Sequence, residues 1–288
     1  MGRGHHRVPC IFPFASWTKL VIAAAEARHG QDRVKWQTTK KHLEVLLRRL
    51  KETGTRRNGR LGKEETWIAA AKREHAEFPF GGILVRSTTS AEPYVVAADR
   101  LHEQTKTCWH CAPVPVLRKS AELAALLAPL LRSATQIRFV DPYFDAAVPE
   151  FRDPMIAYLE AAQCRRTVGD LRVEFHFAVK SGDRKMAASR ILTIEKELGP
   201  RLDRRVKGSA YAWNLASNKN KMHNRYVLTE VGGIAASCGL DESNIPNTNQ
   251  TDDFTVLSDA QYRDRWREFS PGGKVHRIIE SRDFRGTR

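Results

Sequence analysis

Apolar residues in the first third of the chain recur at the spacing of helices. The first predicted helix spans residues 16–29, with Ser16 as its N-cap and Gly30 as its stop. The second spans residues 38–53, and a third spans residues 64–75. One face of the second helix follows the i, i+3, i+4, i+7 pattern of a buried surface and contains Leu43, Leu46, Leu47 and Leu50. The pattern therefore predicts a mainly helical N-terminal region.

Two short apolar segments follow, at residues 83–86 and 94–97. Gly81 and Gly82 precede the first segment, and Pro93 precedes the second. Short apolar runs between turn-forming residues are typical of strands. The pattern leaves open whether the two strands form a hairpin or join a larger sheet.

From about residue 113 onward, predicted strands alternate with predicted helices. The strands cover residues 136–140, 171–179, 225–229, 233–237 and 254–257. The helices include one capped by Ser120, two more at residues 153–162 and 185–198, and a last one opened by a capping box of Ser258 and Gln261. The last helix is expected to bury Tyr262, Trp266 and Phe269. This alternation predicts an α/β architecture for residues 106–288, separate from residues 1–105.

The chain of 288 residues has a formal net charge of +15, which makes a polyanion the first partner to consider. Nucleic acid and an anionic membrane surface are both candidates, and a basic surface without a ligand is the alternative. The longest apolar runs, such as residues 123–131, are too short for a membrane-spanning helix, and the first residues lack a secretory pattern. We therefore expect a soluble cytoplasmic protein rather than an integral membrane protein.

Basic residues are concentrated on the second predicted helix and in the loop that follows it. An ordinary solvated helix face is the alternative to a nucleic-acid contact. The candidate contact residues are Lys40, Lys41, Arg48, Arg49, Arg56, Arg57 and Arg60.

The five cysteines do not indicate a disulfide framework, because their number is odd and they are sparse. Cys108 and Cys111 form a lone CxxC pair. A structural zinc site needs four ligands, and no second pair has metal-ligand spacing. The sequence therefore predicts neither a metal nor another cofactor.

The residues with the clearest chemical pattern surround the predicted strand 225–229. His223 and Arg225 are two positions apart, so their side chains point to the same strand face. An imidazole can attack phosphorus while a cation neutralises the phosphate oxygens. Glu230 follows the histidine by seven residues, and the turn at Gly232 and Gly233 is needed to bring it to the same site.

This segment resembles the phospholipase D superfamily signature, in which His-x-Lys is followed by an acid after four residues and by Gly-Ser-x-Asn after six more. Here Arg225 replaces the lysine, Glu230 replaces the aspartate, and Gly-Ser-x-Asn is missing. The strand ending at Asp141 and the Gly239-Leu240-Asp241 segment resemble one branch of that superfamily. It comprises the C-terminal phospholipase D-like domains of MIT-domain proteins and their bacterial relatives. The resemblance covers about residues 113–270 and implies a mixed sheet flanked by helices.

The resemblance implies a metal-independent phosphodiesterase or nuclease, acting on nucleic acid in a bacterial antiviral defence or DNA-processing system. His223 would be the nucleophile, with Arg225 and Lys221 as phosphate clamps and Glu230 as the orienting acid. Asn220, Asp141 and Asp241 complete the predicted phosphate-binding set. The superfamily mechanism uses two histidines, so one motif implies a homodimer.

The departures from the signature support an alternative function. A catalytically inactive module of the same fold would hold nucleic acid, a partner protein of a defence system or an anionic lipid.

Overall fold

The computed structural model describes most of the chain, and the structural statements below refer to those residues. They are residues 14–53, 66–77, 83–85, 92, 94–97, 114–164, 170–179, 183–214, 224–245, 249–272 and 276–288. They divide into two compact units, which lie within His5–Cys108 and Trp109–Arg288. No helix in these ranges has the length and apolar character needed to cross a membrane.

The smaller unit contains three helices and two short strands. These are α1 (Phe14–His29), α2 (Arg33–Thr53), α3 (Trp67–Glu77), β1 (Ile83–Val85) and β2 (Val95–Ala97). The two strands pair in parallel, with Ile83 opposite Val95. They therefore form neither of the arrangements left open by the sequence, because a hairpin is antiparallel and the larger sheet does not include them.

Helix α2 starts five residues earlier than predicted because Asp32 precedes it as a cap. The Lys35 N–H donates to the Asp32 carboxylate over 3.0 Å. The predicted apolar face is partly wrong, since Leu47 is buried whereas Leu46 is 55% exposed. Ser16 is also not an N-cap, because α1 begins at Phe14.

The larger unit has the predicted α/β architecture, with an eight-stranded mixed sheet flanked by helices. Its helices are α4 (Ser120–Leu131), α5 (Pro149–Gln163), α6 (Arg184–Leu198) and α7 (Asp259–Glu268). Its strands are β3 (Val114–Leu117), β4 (Gln136–Val140), β5 (Arg172–Val179), β6 (Lys207–Asn214), β7 (Arg225–Thr229), β8 (Gly232–Ala236), β9 (Thr251–Val256) and β10 (Ile278–Arg285). The sheet order is β10-β6-β5-β4-β7-β8-β9-β3.

Three strands of this sheet, β3, β6 and β10, were not predicted. Strand β6 contains several small residues, and the Phe284 ring of β10 lies directly against Gly208. A Cβ atom at Gly208 would come within 2.5 Å of that ring. Glycine therefore permits the close packing of these two strands.

Strands β4, β5 and β6 run parallel, whereas β7 runs antiparallel to β4. Consequently β4 ends where β7 begins, and β8 and β3 end at that same edge, where β9 begins. We call this edge, with the turns after β4 and β8, the upper edge. Ligand sites of α/β folds are commonly built at the carboxyl ends of strands.

The two helix caps predicted in this unit had different outcomes. Ser258 and Gln261 form the predicted capping box at the start of α7. Ser120 is the first residue of α4 rather than its cap, and its N–H donates to the Glu242 carboxylate over 3.0 Å. The Glu242 carboxylate therefore accepts a hydrogen bond from a free N–H group in the first turn of α4 and connects this helix to the turn after β8.

Candidate functional site

Asp141 follows β4 directly and organises the upper edge. Its buried carboxylate accepts hydrogen bonds from the N–H groups of Tyr143, at 2.9 Å, and Leu240, at 3.3 Å. It thereby joins the turn after β4 to the turn after β8. Burial raises the pKa of Asp141, although these hydrogen bonds and the nearby charge of Arg225 oppose that rise.

Asp241 lies on the turn after β8 and forms an ion pair with Arg118 at the end of β3. Gly239 permits this arrangement, because a Cβ atom at that position would overlap the Asp241 carboxylate. Burial raises the pKa of Asp241, while the charges of Arg118 and Arg225 oppose the rise. The Gly239-Leu240-Asp241 segment therefore has a structural role, which is to place the Asp241 carboxylate against Arg118.

Both carboxylates have partners within the chain, and their predicted role in binding phosphate stays a prediction. Asp141 is occupied by two backbone donors, and Asp241 by Arg118. The charges of both carboxylates oppose phosphate binding, and the nearby charge of Arg225 offsets them. Both aspartates hold the upper-edge turns in place through these contacts.

Asp252, at the start of β9, holds the turn after β8 from the other side. Its buried carboxylate accepts the N–H of Cys238 at 3.0 Å, the N–H of Gly239 at 3.3 Å and the N–H of Asp253 at 2.7 Å. Burial and the neighbouring Asp252 charge raise the pKa of the Cys238 thiol. The turn is therefore fixed by hydrogen bonds that the sequence pattern did not reveal.

Arg225 is the first residue of β7 and lies beside Asp141 at the upper edge. Its Nε is buried and has no hydrogen-bond partner among the described residues, a feature it shares with Arg118, Arg138 and Arg190. Those three guanidinium groups have carboxylate or carbonyl partners, and none is found for Arg225 in the described ranges. Its Cζ lies 5.0 Å from the centroid of the Tyr143 ring. A buried guanidinium nitrogen without a partner is unfavourable, and an anion bound there would satisfy it.

Glu230 does not lie with Arg225, contrary to the predicted site. It directly follows the far end of β7, about 16 Å along the strand from Arg225 at roughly 3.3 Å per residue. Its carboxylate accepts the N–H groups of Thr135, at 2.6 Å, and Gln136, at 2.9 Å. Glu230 therefore caps the start of β4 and is not placed to orient a histidine next to Arg225.

Several predicted residues lie outside the described residues. These are His223, Lys221 and Asn220 of the site, Arg56, Arg57 and Arg60 of the basic loop, and the Cys108–Cys111 pair. On α2, Lys41 and Arg48 are exposed, Lys40 is half-buried, and Arg49 also belongs to this helix. Within the described ranges, no group of three or more His, Cys, Asp or Glu side chains is arranged to hold a metal ion.

The upper edge also contains residues that the sequence analysis did not select, chiefly Tyr143, Arg118 and Asp252. Tyr143 follows Asp141 by two positions, so the Asp-Pro-Tyr-Phe segment was a usable signal. Arg118 and Asp252 reach the site through the sheet order alone. The sequence matches no protein-family model, and a search of curated proteins gave no match.

Proposed function

We propose that the upper edge of the large sheet binds a phosphodiester group of nucleic acid and that the protein is a phospholipase D-like phosphodiesterase. The observation that carries this proposal is the Arg225 guanidinium, which has a buried Nε without a hydrogen bond and no ion pair or hydrogen bond to any residue in the described part of the chain. Arg118, Arg138 and Arg190 share the first property, but each has a carboxylate or carbonyl partner. A phosphate accepts such a donor well, because guanidinium and phosphate form charge-assisted hydrogen bonds. The net charge of +15 favours a polyanionic substrate.

In this proposal His223 attacks phosphorus while Arg225 neutralises the charge that develops on the phosphate oxygens. A P–N bond forms as the bond to the leaving oxygen breaks, and water then hydrolyses the phosphohistidine. The leaving oxygen takes its proton from the histidine of a second copy of the chain, which makes the homodimer part of the proposal.

The position of Glu230 favours a second candidate function. Because its carboxylate caps β4 at the opposite end of β7, the predicted orienting acid is missing from the site. A module that binds nucleic acid at Arg225 without cleaving it is consistent with this absence. In that case His223 contributes contacts only.

Cleavage and binding assays distinguish the two candidates. Labelled single- and double-stranded DNA and RNA are incubated with the wild type, His223→Ala, Arg225→Ala and Arg201→Ala in the presence of EDTA. Arg201 is an exposed arginine preceding β6, so Arg201→Ala removes the same charge away from the upper edge and is expected to behave as the wild type.

A phosphodiesterase loses cleavage in His223→Ala and in Arg225→Ala. A binding module cleaves nothing, and it loses affinity in Arg225→Ala and, to a smaller extent, in His223→Ala. Undiminished cleavage or binding by Arg225→Ala would refute both candidates.

A further inference from the structure

Tyr143 is a large aromatic residue at the upper edge, and its side chain is partly exposed to solvent. Its side chain is 51% exposed. Its backbone is nevertheless fixed, because its N–H donates to Asp141 over 2.9 Å and its carbonyl accepts from Arg190 over 3.0 Å. The ring is therefore presented on a rigid turn, and the residue's contribution to the fold comes from its backbone.

The ring of Tyr143 lies beside the Arg225 guanidinium. The Cζ atom of Arg225 is 5.0 Å from the ring centroid, which is within the range of a cation–π contact. The guanidinium covers part of the ring, and half of the side chain stays open to solvent. A ligand with a phosphate on Arg225 and a flat apolar group close to that phosphate would contact both residues.

A nucleotide has this composition, because its base is separated from its phosphate by one sugar. We infer that Tyr143 stacks an unpaired base of a single-stranded nucleic acid whose phosphate is bound by Arg225. This inference rests on the proposed function, and it selects the substrate class. Bases within a duplex are already stacked and paired, so they do not offer a free face to a protein ring. An anionic lipid has a phosphate but no base to stack.

Tyr143 has two conceivable roles in binding, which are to stack a base and to position Arg225, and they predict different effects when the ring is removed. If the ring only positioned the guanidinium, its loss would weaken every phosphodiester strand alike. If the ring stacks a base, its loss weakens only strands that have unpaired bases. An abasic single strand, which has the same phosphates and no bases, therefore tests the difference.

Fluorescence anisotropy of labelled oligonucleotides measures this directly in the full chain. The probes are a short oligothymidylate, an abasic strand of equal length and a duplex of equal length. The proteins carry His223→Ala to prevent turnover, alone or with Tyr143→Leu, Tyr143→Phe, Arg225→Ala or Leu192→Ala. Leu192 on α6 is 52% exposed and supplies a control for the loss of an exposed apolar side chain.

We expect Tyr143→Leu to weaken oligothymidylate binding roughly 5- to 150-fold, as the loss of one stacked base does. Tyr143→Phe should bind oligothymidylate as tightly as the His223→Ala parent, because phenylalanine keeps the ring. The affinity for the abasic strand and for the duplex should not change with Tyr143→Leu, and Leu192→Ala should match its parent.

Equal weakening of all three probes by Tyr143→Leu, or no weakening, would overturn the stacking inference while leaving the proposed function intact if Arg225→Ala still weakens binding. Binding unaffected by Arg225→Ala would instead overturn the proposed function, and the inference with it.

Discussion

Two clusters of charged side chains lie in the same sheet and differ in whether their charges are paired. In the buried cluster, which consists of Arg138, Glu174 and His176, the Arg138 guanidinium lies 2.8 Å from Glu174 and 3.7 Å from the Trp266 ring centroid. Glu174 also accepts from Gln136 over 2.7 Å. The buried Nε atoms of Arg138 and Arg225 both lack a hydrogen bond. At the upper edge, however, the Arg225 guanidinium also has no ion pair or hydrogen bond to a described residue, and it contacts the Tyr143 ring.

We propose that the first cluster serves the fold and the second a ligand. The Arg138 charge is paired with Glu174 within the chain, whereas an external anion would pair with Arg225. An Nε without a hydrogen bond does not by itself identify a site in this protein, because Arg118, Arg138 and Arg190 share that feature and have carboxylate or carbonyl partners through their guanidinium groups.

The largest expected effect comes from breaking the buried cluster. Glu174→Ala leaves Arg138 buried without its anion, so we expect a loss of about 3 to 5 kcal/mol in the free energy of unfolding, measured by urea denaturation. Glu195→Ala is the matched control. It breaks the exposed pair of Glu195 with Arg282 and should cost less than about 1 kcal/mol. A similar loss in both variants would show that the buried pair contributes no more to the free energy of unfolding than the exposed pair.

A smaller effect is expected at the carboxylate that holds the turn after β8. Asp252→Ala removes the acceptor for the N–H groups of Cys238 and Gly239, so we expect a loss of about 3 kcal/mol in the free energy of unfolding. Asp253→Ala removes an exposed neighbouring carboxylate and should be near neutral. Thermal unfolding of the two variants compares them. Equal stability would mean that the turn holds itself without Asp252.

The smallest expected effect is a pH dependence from His176. Burial lowers the pKa of His176, while its hydrogen bond to Glu174 opposes this. The Trp213 indole donates to Nδ1 over 3.1 Å, which keeps the ring neutral. Below the ordinary histidine pKa, the unfolded chain takes up a proton that the folded chain excludes. Stability from this group is therefore lost as pH falls through about 6.5.

His176→Gln removes the titrating ring. The stability difference between the wild type and His176→Gln should shrink by about 1 kcal/mol between pH 7.5 and 5.5, measured by urea denaturation at each pH. Parallel stability curves for the two proteins would contradict a lowered pKa for His176 in the folded chain.

The sequence predicted those parts of the fold that periodicity encodes. Helices α4 to α7 and the strand β7 follow clear apolar patterns, and all were found. Strand β6 escaped prediction because packing of Phe284 on Gly208 replaces the usual alternation of large residues. Such a contact joins residues far apart in the chain, so the pattern of neighbouring residues cannot predict it.

The candidate site shows the same limit. Arg225 was predicted as a phosphate ligand from its position at the start of a strand, and it lies at the upper edge. Glu230 was placed in the same site from its spacing, yet an extended strand separates the two residues. Arg118 and Asp252 join the site from β3 and β9, so only the order of strands brings them there.

The central claim, that the Arg225 guanidinium is the open anion site, is tested most directly by the arginine Nε–H resonances in a ¹H–¹⁵N NMR spectrum of the full chain. The Arg225 signal is assigned by its loss in Arg225→Lys, and the Arg201 signal by its loss in Arg201→Lys. The protein is then titrated with a short single-stranded oligonucleotide. We predict a saturable shift of the Arg225 signal, with the Arg201 signal unmoved. An Arg225 signal that stays in place while the oligonucleotide binds elsewhere would contradict the account.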